Sequence, residues 1–112
     1  MSTARQSVPT DPLAALGRFS EPAVLILISL ADGPKHGYAM TQDIEAISGQ
    51  KPGPGTLYGA IARLEERSWI QALPADARRR PYKLTAAGQS VLRAHLDRMK
   101  IMARVGHARL AT

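Results

Sequence analysis

The sequence predicts a mainly α-helical domain that contains one small β-hairpin. Three apolar stretches, each bounded by residues that start or stop helices, precede a strand–turn–strand segment, and one long stretch with an apolar stripe follows it. The 112 residues suit a single domain, and the apolar fraction of 45% is ordinary for a globular protein. The chain has no cysteine, which excludes a disulfide framework, a thiolate zinc site and a cysteine nucleophile.

The first part of the chain divides into an arm and a helix. Residues 1–18 are rich in small and polar residues and are predicted to form a flexible arm, although Asp11-Pro12 could instead cap a short helix that Gly17 ends. Ser20-Glu21-Pro22 is typical of a helix start, because serine caps N–H groups and proline suits the first turn. This helix, nearly all apolar and so expected at the centre of the core, ends before Gly33-Pro34.

Two further helices are predicted, separated by a loop that neither can cross. The second helix extends from Gly37 to Ser48, where Gly49 ends it, and residues 50–55 contain two prolines and two glycines. The third helix is expected from about Gly55 to Ser68. The residues expected to face the core are Met40, Ile44, Ile47, Leu57, Ile61 and Leu64.

Two short strands and a long helix complete the chain. Residues 69–73 and 78–84 are predicted to pair as a hairpin, with Pro81 restricting its strand to an edge or a strand start. Thr85 is the expected N-cap of a last helix that reaches about Arg109. This order describes a winged helix-turn-helix, residues 19–85, with an appended C-terminal dimerisation helix, residues 86–112.

The positive charge is concentrated in the C-terminal part of the chain. Residues 71–112 have nine basic and two acidic side chains, a net charge of +7, whereas residues 1–70 have a net charge of −1. This asymmetry predicts a polyanionic partner, with nucleic acid first and an anionic membrane surface second. The longest apolar run is far shorter than the roughly 20 residues of a membrane helix, so a cytoplasmic protein with no membrane partner and no signal peptide is expected.

The predicted DNA contacts lie at the start of the third helix and in the hairpin. The second helix of a helix-turn-helix enters the major groove by its N-terminal end, and a hairpin beside it can place guanidinium groups on phosphates. Glycine at 59 would let the DNA backbone approach closely. The alternatives are an ordinary helical hairpin, with Gly59 packed on the second helix, and a solvated arginine loop. The predicted contact residues are Lys51, Thr56, Tyr58, Gly59, Arg63, Arg78, Arg79 and Arg80.

The last helix has an apolar stripe at alternating spacings of four and three residues, which is typical of helices that pair. Such a stripe must either fold back over the first helix or meet a second copy. Because a chain this short has little core to cover so long a helix, a homodimer is predicted. The predicted interface residues are Leu92, Leu96, Met99, Ala103, Gly106 and Leu110.

Nothing in the sequence indicates catalysis, a cofactor or a metal. The three histidines are scattered, no glycine-rich phosphate loop is present, and no serine lies in a nucleophile elbow. We therefore expect no enzyme activity, no cofactor and no metal ligands.

Several motifs resemble those of the PadR-like family of winged-helix transcriptional regulators, over about residues 20–92. They are HGY at 36–38, GTLY at 55–58, LE at 64–65 and RRPYKLTAAG at 79–88. The resemblance implies a homodimeric DNA-binding protein, usually a repressor, whose GTLY helix enters the major groove and whose C-terminal helices form the dimer. Some relatives bind phenolic compounds or drugs between the wing, which here is the hairpin of residues 69–84, the first helix and the C-terminal helix. Two positions depart from the pattern: Gly53 replaces a capping serine or threonine, and Ala86 replaces a glutamate.

We accordingly predict a sequence-specific regulator that binds an inverted-repeat operator in double-stranded DNA as a homodimer, with half-sites about 34–36 Å apart. Two alternatives stay open. One is a winged helix used only to dock an acidic protein, and the other is a ligand-responsive regulator that senses a small aromatic effector.

Overall fold

The computed structural model describes residues 11–112, and residues 1–10 of the predicted arm lie outside the described residues. The predicted class is confirmed, because the protein is mainly helical with one small antiparallel sheet. Its elements are a 3-10 helix, Ala14–Phe19, followed by α1, Ser20–Leu30; β1, Lys35–His36; α2, Gly37–Ser48; α3, Pro54–Glu66; β2, Ile70–Ala72; β3, Pro81–Leu84; and α4, Ala86–Leu110.

Helix α1 is the buried centre of the domain, as its apolar composition predicts. It packs against α2, α3, α4, β3 and the 3-10 helix. The predicted inward residues of α2 and α3 are buried with one exception, Ile47, which is exposed. Every residue from 45 to 50 is exposed, so the end of α2 projects beyond the core and the prediction for Ile47 is wrong.

The predicted arm is wrong for residues 11–18, which pack on the domain. Leu13, Leu16 and Phe19 are buried and belong to the hydrophobic core of the domain. The Asp11 carboxylate accepts the Leu13 N–H at 3.1 Å, so the alternative of a capped short helix is the correct one. Gly17, at φ 59°, supplies the kink before α1.

The sheet has three strands in the order β1-β3-β2, all antiparallel, where the sequence predicted two. The additional strand is only two residues long and pairs His36 with Pro81 and Lys35 with Tyr82. So short a strand has no alternation to recognise in the sequence. Of the two places predicted for Pro81, the strand start is the correct one, because β3 begins at Pro81, three residues later than predicted, and is the central strand and not an edge.

Helix α3 ends two residues earlier than predicted, in a Schellman motif. The Trp69 N–H donates to the Leu64 carbonyl at 3.0 Å, and the Ser68 N–H donates to the Glu65 carbonyl at 2.9 Å. Ser68 takes the left-handed conformation, φ 61°, that glycine usually provides at this position. Across residues 11–112 no helix has the length and apolar character needed to cross a bilayer.

Thr85 joins the sheet to α4 and is the predicted N-cap. Its hydroxyl accepts the Gly88 N–H at 3.0 Å and donates to the Ser68 carbonyl at 2.7 Å. The Thr85 N–H donates to the Trp69 carbonyl at 3.1 Å. One residue therefore ties the start of α4 to the end of α3, which fixes the direction of the long helix relative to the domain.

Candidate nucleic-acid interface

The N-terminal end of α3 is open to an external acceptor. Its N-cap, Gly53, has an extended backbone and makes no side-chain hydrogen bond, and Pro54 follows as the first helical residue. The N–H groups of Gly55 and Thr56 have no acceptor within the helix, and they carry the partial positive charge of the helix end. The side chain of Thr56 is exposed beside them. This arrangement suits a phosphate oxygen.

Tyr58 lies one turn further along α3 and leans over the start of α2. A Cβ added to Gly37 would lie 2.3 Å from the Tyr58 hydroxyl, so only glycine accommodates the tyrosine at this distance. Half of the Tyr58 side chain remains exposed, and Tyr38, which receives a hydrogen bond from Gln42 at 3.1 Å, is exposed as well. The two tyrosines of the HGY and GTLY motifs are thus surface residues, and Tyr38 was not among the predicted contacts.

Gly59 and Arg63 face the protein's own 3-10 helix. A Cβ on Gly59 would lie 2.7 Å from Cε1 of Phe19, so the prediction that this glycine admits the DNA backbone is wrong, and so is the alternative of packing on α2. The Arg63 guanidinium lies 3.9 Å from the centre of the Phe19 ring and donates to the Gly59 carbonyl at 2.9 Å. Phe19 is buried and 40 residues distant in sequence from Gly59, so no local pattern could reveal the contact.

The wing arginines lie at a tight hairpin turn. Asp76 and Arg79 exchange backbone hydrogen bonds of 2.8 and 3.0 Å around Ala77, which has a φ of 57°. Arg78, Arg79 and Arg80 are all exposed, and no carboxylate among residues 11–112 forms a salt bridge with them. Their charges are therefore free to meet an external anion.

Two contacts bring the wing and α3 to one surface. The Arg79 guanidinium lies 3.1 Å from Nε2 of His36, and the next residue, Gly37, is the one against which Tyr58 packs. Lys51 and Thr56 line a groove of about 250 Å³ together with Arg18, at the N-terminal end of α3. Of the predicted contact residues, the structure thus places Lys51 and Thr56 in one groove. It places Tyr58 and Arg79 against two consecutive residues, Gly37 and His36.

Helix α4 presents most of its predicted stripe to solvent. Leu96, Met99 and Leu110 have exposed fractions of 39, 49 and 85%, and Ala103 and Gly106 are also exposed. The prediction that Leu92 lies in the interface is wrong, because this residue is 6% exposed and belongs to the hydrophobic core of the domain. Three apolar residues outside the stripe are exposed too and were not predicted: Ile101, Met102 and Val105.

Asp11, an acidic residue near the N-terminus, contacts two side chains of α4. Asp11 Oδ2 lies 2.7 Å from Nδ1 of His95 and 3.1 Å from Nη2 of Arg98, and its side chain is nearly buried. Burial alone would raise the pKa of Asp11, but the hydrogen bonds from His95 and the Leu13 N–H, with the charges of His95 and Arg98, hold it below its ordinary value of 3.8. Nowhere in residues 11–112 do three acidic or histidine side chains converge as a metal site would require.

Comparison with known proteins gives a family and a fold. Residues 26–94 match the model of the transcriptional regulator PadR-like family. Over 75 residues the chain is 48% identical to an uncharacterized 37.1 kDa protein in transposon TN4556 of Streptomyces fradiae, a match that covers 67% of this chain and 22% of that protein. The chain thus spans about a fifth of the length of this curated relative.

The fold is also that of solved structures. A transcriptional regulator from Clostridium thermocellum is 24% identical with a TM-score of 0.69, over 77% of this chain and 89% of the other. A PadR family transcription regulator from Clostridium difficile is 21% identical with a TM-score of 0.71, over 80% of this chain and 97% of the other.

Proposed function

The chain belongs to the PadR-like family of transcriptional regulators, whose function implies DNA binding, and from this premise we propose that it is a homodimeric repressor of an inverted-repeat operator. One observation carries the proposal. The open end of α3 and the arginine wing, whose charges no described carboxylate pairs, share one surface through the contacts of Tyr58 with Gly37 and of Arg79 with His36.

Within this proposal, α3 reads the DNA and the wing holds its backbone. Thr56 and Tyr58 are exposed at the end of α3 that would enter the major groove first. Arg78, Arg79 and Arg80 contact flanking phosphates, and Lys51 supplies a further positive charge at the N-terminal end of α3. Arg63 does not contact the DNA in this proposal, because its guanidinium is held over the Phe19 ring.

The dimer is supported by the apolar surface that one copy leaves exposed. Leu96 and Met99 line a groove of about 680 Å³ between α4 and α1, together with Val24, Leu25 and Ile28. The C-terminal part of α4 extends the apolar surface to Leu110, and within the described residues 11–112 every residue from 101 onwards is exposed. A contiguous apolar surface of this kind is typical of a protein interface. We propose that a second copy covers it with its own α4, so that residues 86–112 dimerise and residues 19–85 bind DNA.

Fluorescence anisotropy tests the DNA contacts. The duplex upstream of the protein's own gene is titrated beside a scrambled duplex at three or more salt concentrations. Specific recognition predicts a preference of about a hundredfold or more for the upstream DNA. Arg79→Ala combined with Arg80→Ala should weaken binding to both duplexes and lower the salt slope by about 3.6, since each phosphate contact contributes about 0.9 and a dimer loses four of them. A Thr56 or Tyr58 substitution should instead reduce the preference between the two.

A charge-matched control separates a wing contact from net charge. Arg93 and Lys100 are exposed on α4, away from the predicted stripe, so Arg93→Ala with Lys100→Ala removes the same charge and should leave the slope nearly unchanged. An equal slope for both double variants would contradict the wing contact. Absence of binding to either duplex at low salt would contradict DNA binding and favour docking of an acidic protein. Sedimentation equilibrium should show a dimer that Met99→Glu dissociates.

A further inference from the structure

The imidazole of His36 lies between two hydrogen-bond donors. Its Nδ1 faces the Ala39 N–H at 3.4 Å, where it caps α2, and its Nε2 faces Nη1 of Arg79 at 3.1 Å. A neutral imidazole has only one nitrogen with a free lone pair, so it can accept only one of these hydrogen bonds at a time. The contact with Arg79 is the shorter, and it is the one that joins α2 to the wing.

We propose that His36 is a positioning residue for DNA binding, which accepts a hydrogen bond from Arg79 and holds that guanidinium beside the Tyr58 end of α3. The inference rests on the proposed function, because it assigns a role only if the wing touches DNA. His36 itself need not touch the nucleic acid.

The backbone makes His36 a fixed support for a mobile side chain. The backbone of His36 pairs with Pro81 across the β1–β3 ladder and occupies the N-cap position of α2, so this backbone is held from two sides. Arg79 lies at the hairpin turn with an exposed side chain. A long side chain that is ordered before binding loses less entropy when it meets a phosphate.

The chemistry of the pair preserves what the arginine needs for DNA. A guanidinium has five N–H groups, and the contact with His36 occupies one, so the others stay available to phosphate oxygens. A neutral imidazole also orients the arginine without cancelling its charge, which a carboxylate in the same place would do. No carboxylate of residues 11–112 is paired with Arg79 in this structure.

Two substitutions at position 36 separate the two hydrogen bonds. In His36→Asn the amide oxygen can occupy the place of Nδ1 and cap Ala39, but the side chain is too short to reach Arg79. In His36→Gln the longer side chain can present its oxygen near the place of Nε2. We expect the asparagine variant to bind operator DNA about five- to a hundredfold more weakly, as loss of one pre-ordered side chain in each protomer of the dimer implies, and the glutamine variant to recover most of this loss.

A double-mutant cycle then assigns the effect to Arg79. In an Arg79→Ala background, His36→Asn should change affinity no further, whereas in an Arg78→Ala background it should cost the same factor as in the wild type. Arg78 is the matched control, as a neighbouring wing arginine for which the structure shows no hydrogen bond to His36. Thermal unfolding of each variant confirms that it is folded before affinity is compared.

The outcomes distinguish this inference from the proposed function. Equal losses from His36→Asn in the wild-type and Arg79→Ala backgrounds would overturn the positioning role while leaving the wing contact in place. Wild-type affinity for His36→Asn would overturn it as well. If Arg79→Ala itself leaves the salt slope unchanged, where loss of one phosphate contact in each protomer of the dimer predicts a decrease of about two, the wing contact fails and the inference fails with it.

Discussion

Gly88 gives the sharpest test of how α4 is attached to the rest of the fold. It is the third residue of α4, and a Cβ at this position would lie 2.0 Å from the carbonyl oxygen of Trp69 and 3.0 Å from Cδ1 of Leu84. The oxygen belongs to the backbone and accepts the Thr85 N–H, so it cannot rotate aside as a side chain could. In Gly88→Ala the start of α4 must therefore move away from β2 and the end of α3.

The size of the effect follows from three contributions. Ordinary van der Waals contact begins at 3.4 Å, so the Cβ and the oxygen must separate by more than an ångström. Overpacking of this kind costs about 1–3 kcal/mol, and loss of the Thr85 hydrogen bond costs about 1 kcal/mol more. Alanine returns up to about 1 kcal/mol through its higher helix propensity. The expected net loss of unfolding free energy is about 1–3 kcal/mol.

Urea denaturation at fixed protein concentration measures this loss, and Gly55→Ala is the matched control. Gly55 is the second residue of α3, and a Cβ there meets nothing within 4 Å, so the same substitution should keep or slightly raise stability. The concentration is fixed because, in the dimer proposed above, association contributes to apparent stability. A Gly88→Ala variant as stable as the Gly55→Ala variant would refute the contact between α4 and Trp69 described above.

Three other substitutions test local features of the structure. Ser68→Gly should raise the unfolding free energy by about 0.5–1 kcal/mol, because Ser68 has a positive φ; an unchanged urea midpoint would argue against that conformation. Thr85→Val should lower it by about 1–2 kcal/mol through loss of the N-cap, with no such loss expected for Ser90→Ala on the same helix. Because the pKa of Asp11 is lower in the folded than in the unfolded protein, its carboxylate stabilises the fold above the ordinary pKa of 3.8, and this contribution is lost as the pH falls through the lower folded pKa. Acid titration of unfolding should therefore be shallower in Asp11→Asn, and parallel curves for the two proteins would contradict the Asp11–His95 contact.

Elements governed by neighbouring residues were predicted well. The bounds of α2, Gly37–Ser48, match the prediction, because Gly49 ends the helix by its own backbone preference. The Thr85 cap involves residues three apart, and the start of α1 follows the local signal at Ser20-Glu21-Pro22, although Ser20 itself makes no cap hydrogen bond. The 3-10 helix was missed as the main interpretation because Ala14–Phe19 is only six residues long and is kinked at Gly17, so no helical period repeats within it.

The candidate interface depended more on distant contacts. The sequence indicated the open end of α3 and the exposed wing, which arise from Gly53 and from a run of three arginines. The sequence could not show that the Phe19 ring packs against Gly59. A glycine at this position is equally compatible with a close approach of DNA, of α2 or of any side chain.

By itself, the sequence determined the order of helices and strands, the winged-helix class and the concentration of positive charge, because these follow from residue patterns within one or two turns. Only the tertiary structure decided which residues meet. It buried Leu92 in the protomer, placed Arg63 over Phe19 and joined Arg79 to His36 across 43 residues of sequence. Such contacts depend on how the elements packed around α1 are oriented, and the spacing of residues along the chain does not determine that orientation.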